Sequence, residues 1–266
     1  MDKKRILLIV AYDGLNYHGW QIQDNGDTIE GELTKAIKAL TGETAVIHGA
    51  SRTDAGVSGL CNRAVFDTAS NIKPERFARA LNTFLPNDIR VRKSLAVAED
   101  YHPKHVKTKK TYQYVIDNEA IANPLKSHAW HVYEQLNVEK MREAAGYLLG
   151  EHDFTSFCSV KGTTLTNIRY IYSLNVEERR FFSFAGTGQD IIITITGNGF
   201  LYNMVRIIAG TLKEVGRGRL EPIEVKYILE ARDRRRACIT APPQGLTLVN
   251  IEEATEPEGK DNQAFI

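Results

Sequence analysis

The sequence predicts an α+β fold made of two similar halves, on three observations. The first hundred residues read in the order strand, helix, strand, strand, helix, strand, which is that of a ferredoxin-like unit. The second half repeats the theme with variations. No low-complexity linker separates the two, so they are expected to share one continuous sheet.

Element by element, Ile6 to Tyr12 reads as a strand. Ile29, Leu33, Ala36, Ile37 and Leu40 recur at helical spacing, and Asp27 with Glu30 resembles a capping box. The short apolar runs Ala45-Val46-Ile47 and Ala64-Val65-Phe66 read as strands flanking a polar, Gly-rich loop. Pro74 opens a helix carrying Phe77, Leu81 and Phe84, closed before Pro86, and 89–97 is a strand. Thr111 to Asp117 alternates as a strand. Asn137 caps a helix with Met141, Ala144, Ala145 and Leu148 that ends at Gly150. Strands are expected near 168–176, 181–185 and 190–197, helices over Leu201 to Val215 and from Pro222, and a closing strand over Gly245 to Ile251. Gly186-Thr187-Gly188 and Gly216-Arg217-Gly218 read as turns. The basic run 104–110 suggests a boundary, giving halves at 1–105 and 106–256. After Pro257 periodicity is lost and a loose tail is expected.

A length of 266 residues allows one large or two ordinary domains. Apolar residues at 42% and charged residues at 25% place the chain among ordinary globular proteins. No run of about 18 apolar residues is present, so no transmembrane helix is expected, and the N-terminal apolar run is too short for a signal peptide. Cys61, Cys158 and Cys238 are few, odd in number and widely spaced. They form no metal or disulfide pattern and point to a reducing cytoplasm. The net charge of +1 does not announce a nucleic-acid binder, but the distribution is uneven. Lys104, Lys107, Lys109 and Lys110 lead directly into Tyr112, and Arg232, Arg234, Arg235 and Arg236 form a second cluster. A single cluster reads as a solvated face; cations beside aromatics tilt toward splayed RNA.

The polar loop reads Gly49-Ala50-Ser51-Arg52-Thr53-Asp54-Ala55-Gly56-Val57-Ser58-Gly59. Small residues let the Asp54 carboxylate approach a ligand closely, and Arg52 is spaced to hold that carboxylate ionised or to grip a phosphate. On spacing alone, a surface turn with an incidental Arg and Asp is the plainer reading. Six motifs in order change this. Arg52-Thr53-Asp54-Ala55-Gly56-Val57 resembles the RTDAGV signature of the tRNA pseudouridine synthase A (TruA) family. Tyr12-Asp13-Gly14 with Tyr17-His18-Gly19-Trp20-Gln21-Ile22-Gln23 is similar to its opening YDG…Y.GWQ.Q, and Tyr112 with Tyr114 to its Y.Y strand. Asp153-Phe154-Thr155-Ser156-Phe157, Gly199-Phe200-Leu201-Tyr202-Asn203-Met204-Val205-Arg206 and Ala241-Pro242-Pro243-Gln244-Gly245-Leu246 resemble its DF.SF, GFLYHMVR and APP.GL. The resemblance runs from about Ile6 to about Ile251.

The resemblance implies the pseudouridine synthase fold: two ferredoxin-like halves forming a central antiparallel sheet flanked by helices. It implies isomerisation of uridine to pseudouridine at positions 38–40 of the tRNA anticodon arm by a cytoplasmic homodimer. Substrate and product are isomers, so no redox or group-transfer cofactor is needed. The sequence agrees: it has no convincing dinucleotide loop, no Walker A motif and no zinc-like Cys/His spacing. Asp54 takes the place of the family's catalytic carboxylate, as nucleophile or base. Arg52 takes that of a flipping and phosphate-contacting group, for a uridine must leave its stack to be reached. Tyr112 matches the tyrosine beside the target base; its plainer reading is a half-buried strand tyrosine. Arg206 sits among Leu201, Met204, Val205 and Ile208, where a cation needs an anion, and the family's partner for it is Asp54. That pairing is expected to lower the Asp54 pKa. Leu246 matches a pocket-wall leucine, a role that overlaps with core packing. Tyr17, His18 and Trp20 read equally as RNA-stacking groups or as packing.

The chain departs from the usual RTDAGVHA.GQV: Ser58, Gly59 and Cys61-Asn62-Arg63 stand in place of His, Ala and Gly-Gln-Val, and Ser51 replaces the usual Gly before Arg52. Ser58 is therefore expected to shift which uridines are modified. These departures keep another RNA, such as a ribosomal RNA, open as the target; an inactive RNA-binding module is the alternative from another class.

Overall fold

The computed structural model describes residues 3–159, 166–183 and 186–254; the tail expected after 257 lies outside them. In the first half β1 (Lys4–Tyr12) leads to α1 (Ile29–Thr41), β2 (His48–Gly49) and β3 (Ser58–Thr68). A 3-10 turn (Pro74–Arg76), α2 (Phe77–Leu81) and β4 (Ile89–Val97) complete it. The sheet order here is β4-β1-β3-β2, the ferredoxin-like order.

The second half repeats that order at larger scale. It contains β5 (Thr108–Asp117), β6 (Trp130–His131), α3 (Val138–Gly146), β7 (Gly150–Asp153) and the long hairpin β8 (Ile168–Ser183) and β9 (Gly186–Gly197). Then follow α4 (Met204–Gly216), α5 (Pro222–Ala231) and β10 (Leu246–Glu253). Its order, β10-β5-β9-β8, is again fourth, first, third, second, with β7 added at the edge. The halves fuse through β3 and β10 into one ten-stranded sheet. Ladders are antiparallel except at β10–β3 and β5–β6, which are parallel over two residue pairs each.

Each half has its own apolar core. Ile6, Leu8, Ile29, Leu33, Phe66 and Phe77 pack together in the first. Met141, Phe154, Phe157, Ile193, Ile208 and Leu229 belong to the second. Ala50 and Val57, from the first half's loop, are buried in the second core, which ties that loop to both halves.

Local expectations fail in instructive places. Ala45 and Ile47 are buried in alternation, but 45–47 finds no ladder partner, and the strand is only His48–Gly49. The cap of α1 is Thr28, whose hydroxyl accepts from the Gly31 amide at 3.2 Å, while Glu30 is taken by the Ile22 amide. The second helix stops at Leu81, leaving Phe84 at 49% exposure. Helix α3 ends at Gly146; Gly150 instead begins β7. The expected strands at 168–176 and 181–185 fall within one strand, with 184–185 outside the described residues, and Gly186 to Gly188 lie in β9 rather than in a turn. Helix α4 starts at Met204, three residues late, because Asn203 adopts a left-handed φ of +61°.

Candidate active site

The loop 50–57 leaves the sheet at a fork. With β1 on one edge of β3, its other edge is shared: β10 pairs at Ser58 and Gly59, β2 at Ala64 and Val65. Between these contacts the fully buried Asn62 donates its side-chain amide to Ser51 O at 2.9 Å. Lys110, from β5, donates to Ala50 O at 2.9 Å.

The first motif braces this loop from below. Tyr12 Oη and Thr53 Oγ1 are 2.8 Å apart; the Trp20 amide donates to Thr53 O, and the Gly56 amide to Tyr17 O. Trp20 at 2% exposure and the buried Tyr17, whose hydroxyl donates to Asp88, are packing residues, not stacking platforms. His18 is exposed. Two glycines are sterically required. A Cβ on Gly14 would overlap the Val57 carbonyl, and Gly56 has φ +78° with Pro243 2.9 Å from where its Cβ would stand. The YDG, RTDAGV and APP motifs thus meet at one point.

Ser58 belongs to the same brace. It is 5% exposed and its Oγ accepts from the Gly14 amide at 3.0 Å. Arg63 bonds Glu253 and Ile251 O, and Cys61 lies against Val249 O. These departures from the family pattern lie in the seam between the halves, and the buried Ser58 offers no surface with which to choose a uridine.

The loop lines one wall of a cleft of about 640 Å³; Tyr112, Leu246 and the segment Phe200–Val205 line the others. Arg206 reaches in behind Asn203. Its Nε donates to Ala241 O at 2.7 Å and its Nη1 to Asn203 Oδ1 at 2.8 Å, leaving Nη1 3.5 Å from Asp54 Oδ2. Residues 152 apart in sequence are thereby paired, as the resemblance implies. The electrostatic expectation is overturned, however. Burial raises the Asp54 carboxyl above its ordinary value, and the long Arg206 contact only partly offsets this. Tyr112 is buried, its ring edge-on to Phe200 at 5.2 Å and its hydroxyl 3.0 Å from Ser51 Oγ. Burial pushes that phenol up to about 12, so it stays a neutral hydrogen-bonding group. Leu246 is a buried wall residue, so the pocket and core readings coincide.

Cations rim the opening. Arg52 is exposed and, among the described residues, makes no hydrogen bond or ion pair. Lys104 is also exposed; desolvation, then Arg52, lower its pKa. Burial first, then Lys104, bring Lys110 down to about 8. Lys107 lines an adjoining hollow with Lys104 and Lys110, and Lys109 sits 4.8 Å over the Tyr172 ring. Arg234 and Arg235 do not line the cleft. Arg234 bonds Ala237 O and Thr240 Oγ1, and Arg235 forks onto Asp233. Sequence reasoning marked Ser51 only as a departure from the family pattern and gave no role to Asn203; the two position Tyr112 and Arg206. For Asn203 a signal existed: Asn is among the few residues that tolerate a left-handed backbone.

Among the described residues no group of three or more His, Cys, Asp or Glu is arranged to hold a metal ion, and no helix is long and apolar enough to cross a membrane. A carboxylate beside a fixed guanidinium, under an aromatic ring and an apolar wall, in a cleft rimmed by cations, suits an anionic polymer presenting one flat, uncharged group.

Comparison with known proteins agrees. A family model described as tRNA pseudouridine synthase matches residues 8–105 and 144–252. The tRNA pseudouridine synthase A of Thermoanaerobacter sp. (strain X514) is 44% identical over 249 residues, covering 93% of this chain and 99% of that protein. That of Brevibacillus brevis is 43% identical with the same coverage, as is the tRNA pseudouridine synthase A 2 of Clostridium perfringens. With its signature residues gathered around one cleft and matches of this extent, the chain belongs to the tRNA pseudouridine synthase family.

Proposed function

We infer that the protein isomerises uridine to pseudouridine in tRNA, with Asp54 as the catalytic carboxylate. The observation that carries this is the Asp54–Arg206 pair in a cleft walled by Tyr112 and Leu246. In the reaction the N1–C1′ bond breaks and a C5–C1′ bond forms; C5 loses a proton and N1 gains one. Positive charge grows at C1′ as the first bond breaks, so an ionised carboxylate there stabilises the transition state or captures C1′ directly. Arg206 favours that ionised form. Tyr112 gives the detached base a flat partner while it turns, Leu246 closes the wall, and Arg52 with Lys104 and Lys110 meets the phosphates flanking an extruded uridine. The target within tRNA is the anticodon arm, positions 38–40, and the enzyme works as a cytoplasmic homodimer, 1–105 and 106–256 each supplying one side of the cleft. Target position, dimer and compartment rest on the resemblance.

The test is pseudouridine formation on an unmodified tRNA transcript and, separately, on ribosomal RNA, mapped by position, by the wild type and by Asp54→Asn. Product confined to positions 38–40 and absent with the variant is expected. Substantial turnover by Asp54→Asn would move the chemistry to another residue, and product in ribosomal RNA alone would move the substrate. A monomer mass at micromolar protein would remove the dimer.

A further inference from the structure

Beside the cleft, three histidines from two separate segments bring their rings together in a row, one pair tilted by 42° and the other stacked. His48 lies in β2; His102 and His105 lie in the turn between β4 and β5. The His48 and His102 centroids are 5.1 Å apart, and those of His102 and His105 are 4.3 Å apart with the rings 24° from parallel. His48, Arg52 and Lys104 line one hollow of about 230 Å³; Lys104, His105 and Lys110 line another of about 330 Å³. Arg52, Lys104 and Lys110 also line the cleft, so row and cleft form one surface. His48, His105, Lys104 and Arg52 are exposed.

The surrounding charges leave this row short of anions. Arg5 faces His102 and is forked onto Asp67, a carboxylate that also feels the charge of His48. Glu99 and Asp100 interact with Arg5. Glu30 shares the hollow of His48, and its carboxylate accepts from the Ile22 amide. Among the described residues no carboxylate lies within ion-pair distance of any of the three rings. His102 Nδ1 accepts from the Lys104 amide at 3.2 Å, so a second proton there would break the turn's own bond. Burial, then His105 and His48, also hold this ring below the usual imidazole range. The central ring is thus a neutral spacer between the two exposed rings of His48 and His105.

We propose that His48, His102 and His105, with Lys104 and Arg52, form a strip that binds RNA backbone phosphates beside the cleft and takes up protons as it does so. The inference rests on the tRNA reading of the cleft. Without a ligand, protons on His48 and His105 would meet the positive charge of Arg52 and Lys104 beside them. A phosphate supplies the missing negative charge, so binding and protonation favour each other.

The experiment measures affinity of the full chain for an unmodified tRNA transcript at pH 8 and pH 6, at fixed salt. It compares the wild type with the triple variant His48→Gln, His102→Gln, His105→Gln. The wild type is expected to bind about tenfold more tightly at pH 6, which corresponds to uptake of about half a proton averaged over the two pH units. Its log–log salt slope is expected to steepen by about 0.7–0.9 for each further phosphate neutralised. The triple variant should change by about twofold or less. Asp54, Lys104 and Lys110 are present in both proteins, so their titration cancels. Equal pH dependence in the two, or an equal affinity loss at both pH values, overturns the proposal. The wild type alone gives an independent reading: calorimetric titration at pH 7 in two buffers of different ionisation heat should show net proton uptake, and zero exchange or release overturns the strip even if the variant does not fold. A transcript bound and converted with pH-independent affinity sinks the strip alone; one neither bound nor converted sinks the tRNA reading with it.

Discussion

Asp54 is held where burial disfavours its charged form. Its carboxyl is raised above the ordinary value, so the folded protein holds that proton more tightly than the unfolded chain does. Its contribution to stability is therefore fully present below the unfolded-state value of about 3.9 and is lost as pH rises through the higher folded value. At neutral pH the ionised form is a cost of function. Asp54→Asn removes that cost. The variant should be inactive, yet at pH 7 its urea midpoint should lie at or above that of the wild type, with the difference shrinking toward pH 4. A clearly lower midpoint at pH 7 would mean that the carboxylate is a structural group. Arg206 works in the opposite direction, as the cation that lowers this carboxyl. With Arg206→Ala the acid limb of the single-turnover pH profile should move to higher pH, beyond any loss in the plateau rate. A limb that stays in place would separate Arg206 from the ionisation of Asp54 and leave it only its bonds to Asn203 and Ala241.

At the level of elements, the loop that carries Asp54 owes its shape to neighbours that sequence spacing does not reveal. Long periodic elements were legible: β1, α1, β4, α5 and β10 lie close to where apolar spacing and Pro222 place them. The failures share one physical cause, which is tertiary partners overriding local preference. Ala45 and Ile47 alternate like a strand but lack a partner, and Glu30 leaves its capping role for the Ile22 amide. Asp54, Arg206, Tyr112 and Leu246 could be named from motifs, but not the 3.5 Å contact that makes burial win over charge. Ser58 is the sharpest case: read as a surface specificity residue, it is a buried acceptor for Gly14. Ser58→Ala leaves that amide unpaired, a loss of about 1–3 kcal/mol. Ser58→His forces a larger ring into a closed site and should cost at least as much. Denaturant unfolding reads both, with the modification pattern mapped alongside. A re-targeted pattern at unchanged stability would restore the specificity reading.

Over the whole molecule, a net charge of +1 conceals a division between cations that are already engaged and cations that face the cleft. Arg235 is forked onto Asp233, and Arg234 bonds Ala237 O and Thr240 Oγ1, holding the chain that leads to Pro242 and Pro243. Lys104 and Lys110 line the cleft, and neither forms an ion pair among the described residues. Equal counts of Lys or Arg in two segments therefore do not mean equal binding. Removing a cation that neutralises one phosphate should flatten the log–log salt dependence of tRNA affinity by about 0.7–0.9. Lys104→Ala should do this with little change in stability, because its side chain is exposed. Lys110→Ala should flatten the slope and also slow turnover, because its ammonium holds Ala50 O at the root of the loop that carries Asp54. Arg235→Ala should leave the slope where it is, since that guanidinium already has its anion. The measurement is affinity over a salt series, from about 50 to 200 mM, with each variant beside the wild type. A flattened slope for Arg235→Ala, or an unchanged one for Lys104→Ala, would place the RNA on a different face from the one that Asp54 opens onto.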